Sequence, residues 1–147
     1  MKCRGCGVPL HLCLIDLGTA PPSNAYLGVD QLDQAESWVP LRVMVCEACW
    51  LVQTEDYRSA DTLFDPTYAY FSSYSSSWLE HARCYVDAMI ARFGLSRDNC
   101  VVEIAANDGY LLQYVAAADI PCLGVEPTAS TAAVARARGL EIRERFF

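Results

Sequence analysis

The chain has 147 residues, 53% of them apolar and 11% aromatic, and a formal net charge of −7. That length holds one domain, or a small domain with part of another, and the composition excludes a disordered chain. The acidic balance argues against a nucleic-acid surface or an anionic membrane as partner, and no apolar run reaches the roughly 18 residues of a membrane span.

The chain opens Met-Lys-Cys-Arg-Gly-Cys, which lacks the apolar core of a secretory signal, so the cytoplasm is the expected compartment. Eight cysteines in such a chain point to metal before disulfides. They divide into two C-x-x-C pairs, Cys3/Cys6 and Cys46/Cys49, and four isolated residues, Cys13, Cys84, Cys100 and Cys122. The isolated ones have apolar neighbours and are expected to be small buried hydrophobes.

Residues 1–57 carry Gly and Pro punctuation and short β-like runs. "LHLCLIDLG" (Leu10–Gly18) alternates like a strand, and the two prolines of "APPSNAYL" (Ala20–Leu27) forbid a helix. "WVPLRVMVC" (Trp38–Cys46) and "WLVQTE" (Trp50–Glu55) read as strands joined by the second C-x-x-C, a hairpin-like knuckle. Residues 58–76 read as a loop rich in aromatics and hydroxyls. A helix follows from Ser77, with Ser77 and Glu80 at capping-box spacing and Gly94 as its stop. Its apolar stripe runs through Trp78, Ala82, Tyr85, Met89 and Phe93, widened by Leu79, Val86 and Ile90.

After Asn99 the pattern alternates strand and helix. "CVVEIAA", "PCLGVEP" and "EIRERFF" read as strands. "GYLLQYVAAAD" and "TASTAAVARARG" read as helices, the second capped by Thr128 or Ser130 and closed by Gly139. The fold class is therefore α/β: an N-terminal zinc-binding β-rich module, a helix, and a partial Rossmann-like β-α-β-α-β unit, half of a doubly wound sheet. The expected division is a zinc module over 1–57, a linker loop and helix over 58–98, and the partial cofactor domain over 99–147.

Two C-x-x-C pairs can hold one Zn²⁺, because two residues between thiolates let a tight turn aim both sulfurs at one point. Four ligands close the coordination sphere, so the metal is expected to be structural. Free thiols or a redox pair are the alternative. His11 lies near Cys6 but is surplus to a four-cysteine site, and His81 reads as a helix-surface residue.

Glu103 lies on the first strand of the α/β unit, and Asn107, Asp108 and Gly109 form the turn before a helix. Glu126 ends the next strand, where an acid commonly bonds ribose hydroxyls. A dinucleotide fingerprint G-x-G-x-x-G is absent, which counts against a nicotinamide cofactor. The acidic surroundings suit a cationic cofactor without phosphates, and S-adenosylmethionine meets that description. The plain alternative is a structural βαβ turn.

These motifs in order, with "DLGTAPPSNAYL", "WLVQ", "YAYFSSYSSSWLEHA", "VVEIAANDGYLL" and "GVEPTAS", resemble the zinc-containing, S-adenosylmethionine-dependent C-methyltransferases of deoxysugar biosynthesis. The resemblance implies a nucleotide-linked keto-sugar substrate. It implies Cys3, Cys6, Cys46 and Cys49 as zinc ligands, Glu103 through Gly109 as the cofactor motif, and Glu126 as the ribose acid. In that motif the family usually carries glycine where this chain has Ala105. Tyr68 and Tyr70 match a catalytic loop near cofactor and substrate, and Ser72 and Ser73 match its cofactor-binding part. The resemblance covers essentially the whole chain but only the N-terminal portion of the family, so the chain alone is expected to lack the base and the sugar site. The first strand of the sheet is expected to leave an apolar edge open to a second copy. The competing reading is a non-catalytic zinc-binding assembly module.

Overall fold

The structure is a computed structural model and describes residues 1–64 and 68–147. The part of the hydroxyl-rich loop formed by Asp65, Pro66 and Thr67 lies outside the described residues. The chain divides into two compact units, Met1–Leu63 and Phe64–Phe147.

The first unit is built on an antiparallel sheet in the order β1 (Leu12–Ala20), β2 (Val39–Val45), β3 (Val52–Thr54). β1 starts two residues later than its alternation predicts. Leu10 N–H is already bonded to Met1 C=O, and Lys2 and Pro9 form an antiparallel bridge, so these residues close a separate turn. Pairing slips between Cys13 and Ile15 and again between Asp16 and Thr19, where Gly18 has φ +79° and donates its N–H to Asp16 Oδ1. Such bulges bend an edge strand and re-aim its side chains. The buried apolar cluster of this unit is small: Cys3, Leu10, Met44 and Cys46. The unit ends in the short helix α1 (Ala60–Leu63).

The second unit begins with the helix α2 (Ser76–Phe93). The sheet is parallel, β4 (Val101–Ile104), β5 (Cys122–Val125), β6 (Ile142–Arg143), in that order, with α3 (Leu112–Ala117) and α4 (Ala129–Ala137) as crossovers. This is the β-α-β-α-β unit that the sequence pattern predicts. Its core joins Val86 of α2 to Leu112, Val115, Ala132, Ala135 and Ile142. Gly124 is required by close approach, because a Cβ there would lie 2.5 Å from Ile142 Cδ1.

The N-cap of α2 is Ser75, whose hydroxyl accepts Trp78 N–H at 3.2 Å. Ser77 therefore does not cap the helix, and Glu80 pairs with Arg83 at 2.6 Å instead of reaching back to it. Gly94 closes the helix in the left-handed conformation at φ 61°, as expected. The isolated cysteines depart from expectation: Cys13, Cys84 and Cys100 are exposed, and Cys122 is half-buried. Cys13 lies on an edge strand, Cys84 on the outer face of α2 beside Glu80, and Cys100 just before edge strand β4. Their apolar neighbours line elements that this chain leaves open. Among the described residues no helix is long and apolar enough to cross a membrane.

Candidate functional site

Cys3 and Cys6 sit in one tight turn, Cys46 and Cys49 in another, and the two share one geometry. In the first, Cys3 N–H donates to Val8 C=O and Gly7 N–H to Cys3 C=O. In the second, Cys46 N–H donates to Leu51 C=O and Trp50 N–H to Cys46 C=O. Each turn thus puts a left-handed residue directly after its second cysteine: Gly7 at φ 78° and Trp50 at φ 62°.

The four sulfurs lie within 4.8 Å of one another, with Cys3 to Cys49 at 3.6 Å and Cys6 to Cys46 at 3.5 Å. A tetrahedral Zn²⁺ with bonds of about 2.3 Å needs sulfur–sulfur edges of about 3.8 Å, so the donor set fits the ion in type and spacing. Gln53 supports the site from β3. Its Nε2–H donates to Cys3 Sγ at 3.3 Å, and its Oε1 accepts Arg4 N–H at 3.0 Å. That bond, followed by the Cys6 backbone N–H, holds the Cys3 thiol down at about 6. Cys49 receives a lowering bond from the Leu51 backbone, but crowding by Cys3, Cys6 and Cys46 outweighs it and pushes the thiol up to about 12. Crowded thiols that raise one another's proton affinity are what a divalent cation relieves. His11 is exposed and is not among the grouped ligands.

In the second unit the predicted cofactor residues come together around the turn after β4. Asn107 is its hub. Its N–H donates to Glu126 Oε2 at 2.9 Å, its Oδ1 accepts Ser72 N–H at 2.9 Å, and its Nδ2–H donates to Tyr70 C=O at 3.1 Å. Ser73 donates both its N–H and its hydroxyl to Asp108 Oδ2. Arg138 reaches the same place, donating to Ser73 Oγ at 2.8 Å and to Asp108 C=O at 2.9 Å. Glu126 is buried, and its second oxygen accepts Thr128 N–H at 2.9 Å. Ala105 and Asn107 both have positive φ, 60° and 50°. Asn tolerates that region, whereas Ala does so under strain.

Gly109 has a structural reason to be glycine: at φ +78°, a Cβ would lie 2.3 Å from Leu140 Cδ1. Asp108 is fully buried. Among the described residues its Oδ1, and Glu103 Oε2, are buried without a hydrogen-bond partner. Burial, set against a bond from the Tyr110 phenol and reinforced by the charges of Asp108 and Glu126, raises the Glu103 carboxyl to about 7.

The loop residues Tyr68 and Tyr70 are arranged differently. Tyr68 is half-buried and packs edge-on against Phe64 at 5.1 Å, while Tyr70 contributes its backbone carbonyl to Asn107 and leaves its ring half exposed. His81 is exposed on α2, stacked on Trp78 at 5.1 Å. Three participants escape a reading of the sequence. Tyr110 directly follows the Asn-Asp-Gly turn, which is a local signal. Gln53 lies in the quoted "WLVQ". Nothing local marks Arg138, which only the packing of α4 brings to Asp108.

A family whose description reads "Putative zinc binding domain" matches residues 3–64, a span that contains all four ligand cysteines. Over 140 residues, 95% of this chain, the sequence is 34% identical to C-methyltransferase NovU of Streptomyces niveus. The chain spans 33% of that relative's length. The chain is thus similar to a C-methyltransferase along nearly its whole length, and residues 3–64 match a zinc-binding domain family.

Proposed function

We propose that this chain is the zinc-binding and cofactor-binding N-terminal portion of an S-adenosylmethionine-dependent C-methyltransferase that acts on nucleotide-linked keto-sugars in the cytoplasm. The observation that carries the reading is the convergence of Glu103, Ala105, Asn107, Asp108, Gly109 and Glu126 on one turn, with Ser72 and Ser73 against it. The turn fits a cationic group, because its net charge is negative and two buried carboxylate oxygens there have no partner among the described residues. The cofactor supplies an electrophilic methyl group. The chain's own contribution is to bind and orient: the backbone turn presents the site, Glu126 holds the turn in shape, and Tyr68 and Tyr70 border the substrate side. Cys3, Cys6, Cys46 and Cys49 hold a structural Zn²⁺ that keeps the first unit folded. The division into a zinc module (1–57), a loop and helix (58–98) and a partial cofactor domain (99–147) belongs to the same reading.

The competing reading is a non-catalytic zinc module that assembles through the open edge of β4. One observation favours it: both Glu126 oxygens and one Asp108 oxygen are already occupied by the protein's own donors. Titration calorimetry with S-adenosylmethionine separates the two. Saturable heat is expected; a flat titration into the millimolar range leaves the assembly module.

A further inference from the structure

The three carboxylates at the turn after β4 are not equivalent. Glu126 accepts two backbone N–H groups, from Asn107 and Thr128. Asp108 accepts the N–H of Ser73 and lies 3.7 Å from the Arg138 guanidinium. Glu103 has no such support. From the turn it is faced by Asp108 and the Tyr110 phenol, and from the β5 side by Glu126 and the Cys122 thiol. Arg138 is turned to Asp108 and Ser73. Two carboxyl groups with donors of their own therefore flank a third whose Oε2 is buried without a partner among the described residues. Asp108, fully buried, keeps Oδ1 in the same condition.

A carboxyl in that position has two low-energy states: it holds a proton, or it shares a cation with its neighbours. We propose that Glu103 is the proton-bearing member of this cluster and that capture of a cationic ligand at the turn expels its proton to solvent. No covalent bond changes. The carboxylic acid becomes a carboxylate, the proton passes to buffer, and the ligand's ammonium or sulfonium charge replaces it. The raised proton affinity of Glu103, to about 7, agrees with this arrangement. The inference rests on the cofactor reading, and its test separates the two.

S-adenosylmethionine is titrated into the full chain at pH 6 in two buffers of different ionisation enthalpy. At that pH the ligand's own α-amino group, with an ordinary pKa of about 7.7–8.0, is already charged. The apparent enthalpy should differ between buffers by the release of nearly one proton per ligand, and affinity should rise about fivefold from pH 6 to pH 7. Glu103→Gln, which keeps the shape and cannot release a proton, should bind with no buffer dependence. Saturable binding with a buffer-independent enthalpy and a flat pH profile would overturn the inference and leave the cofactor reading standing. Proton release that persists in Glu103→Gln would overturn it equally. Absence of binding in both buffers would overturn both.

Discussion

Trp50 occupies in the second cysteine turn the backbone position that Gly7 occupies in the first, and both have positive φ. Glycine adopts that region freely, and a bulky side chain does so at a cost of roughly 1 kcal/mol. Trp50→Gly is therefore expected to raise the melting temperature of the metal-loaded chain, by less than that cost because glycine also loosens the unfolded state. Ala105 carries the same strain after β4, and Ala105→Gly should stabilise by a similar fraction of a kcal/mol. Gly109→Ala should do the opposite, costing about 2 kcal/mol or more, since φ and the contact with Leu140 both oppose it. Thermal melts of the three variants check these signs. Glu103 gives a pH signature. Its folded-state carboxyl is raised from 4.5 to about 7, so the folded chain holds a proton that the unfolded chain has released. Stability is then present below about pH 4.5 and lost as pH rises through 7, by about 2 kcal/mol after solvent screening. Glu103→Gln should remove that loss, which denaturant melts at pH 5 and pH 8 would show.

α2 shows how an element can be legible in outline and misread in detail. Its periodicity, length and glycine stop are all in the sequence. The cap is not, because several serines stand before the first turn and only backbone geometry selects Ser75. Ser75→Ala should cost about 1 kcal/mol in a denaturant melt, whereas Ser77→Ala should cost far less. The apolar stripe is only partly used. Ala82 and Val86 are buried, while Trp78, Tyr85 and Phe93 remain 42%, 50% and 63% exposed. Tyr85, Met89 and Phe93 border an apolar cleft of about 220 Å³ that Val101 and Val115 help to floor. The stripe encodes more contacts than this chain makes. The same holds for β4, which among the described residues pairs only with β5 and leaves Val102 and Ile104 about half exposed. If that edge joins a second copy, light scattering will show a concentration-dependent dimer, and a lysine at Val102 will abolish it.

The two units differ in what holds them. Buried apolar residues from three helices, β6 and the connecting turns make the core of Phe64–Phe147, whereas Met1–Leu63 gathers its buried cluster around two of its own metal ligands. A core that small does not offset the chain entropy of its unit, so the metal must. Treatment with a strong chelator, or Cys49→Ser, is expected to unfold residues 1–63 while amides of the β4–β6 sheet stay protected; hydrogen exchange resolves the two. The clustering of the four cysteines was legible in the sequence because a C-x-x-C spacing is a local constraint that fixes two sulfurs by itself. The parallel β-α-β-α-β order was legible because alternating apolar runs and helical stripes are local too. What only the tertiary structure decided is how charges are distributed at the turn: that Glu126 is held by backbone N–H groups, that Arg138 reaches Asp108, and that Glu103 is left as the carboxyl without a strong donor. Those relations join residues far apart along the chain. The energy of a buried carboxylate depends on its donors and neighbouring charges in space, which no sequence spacing records.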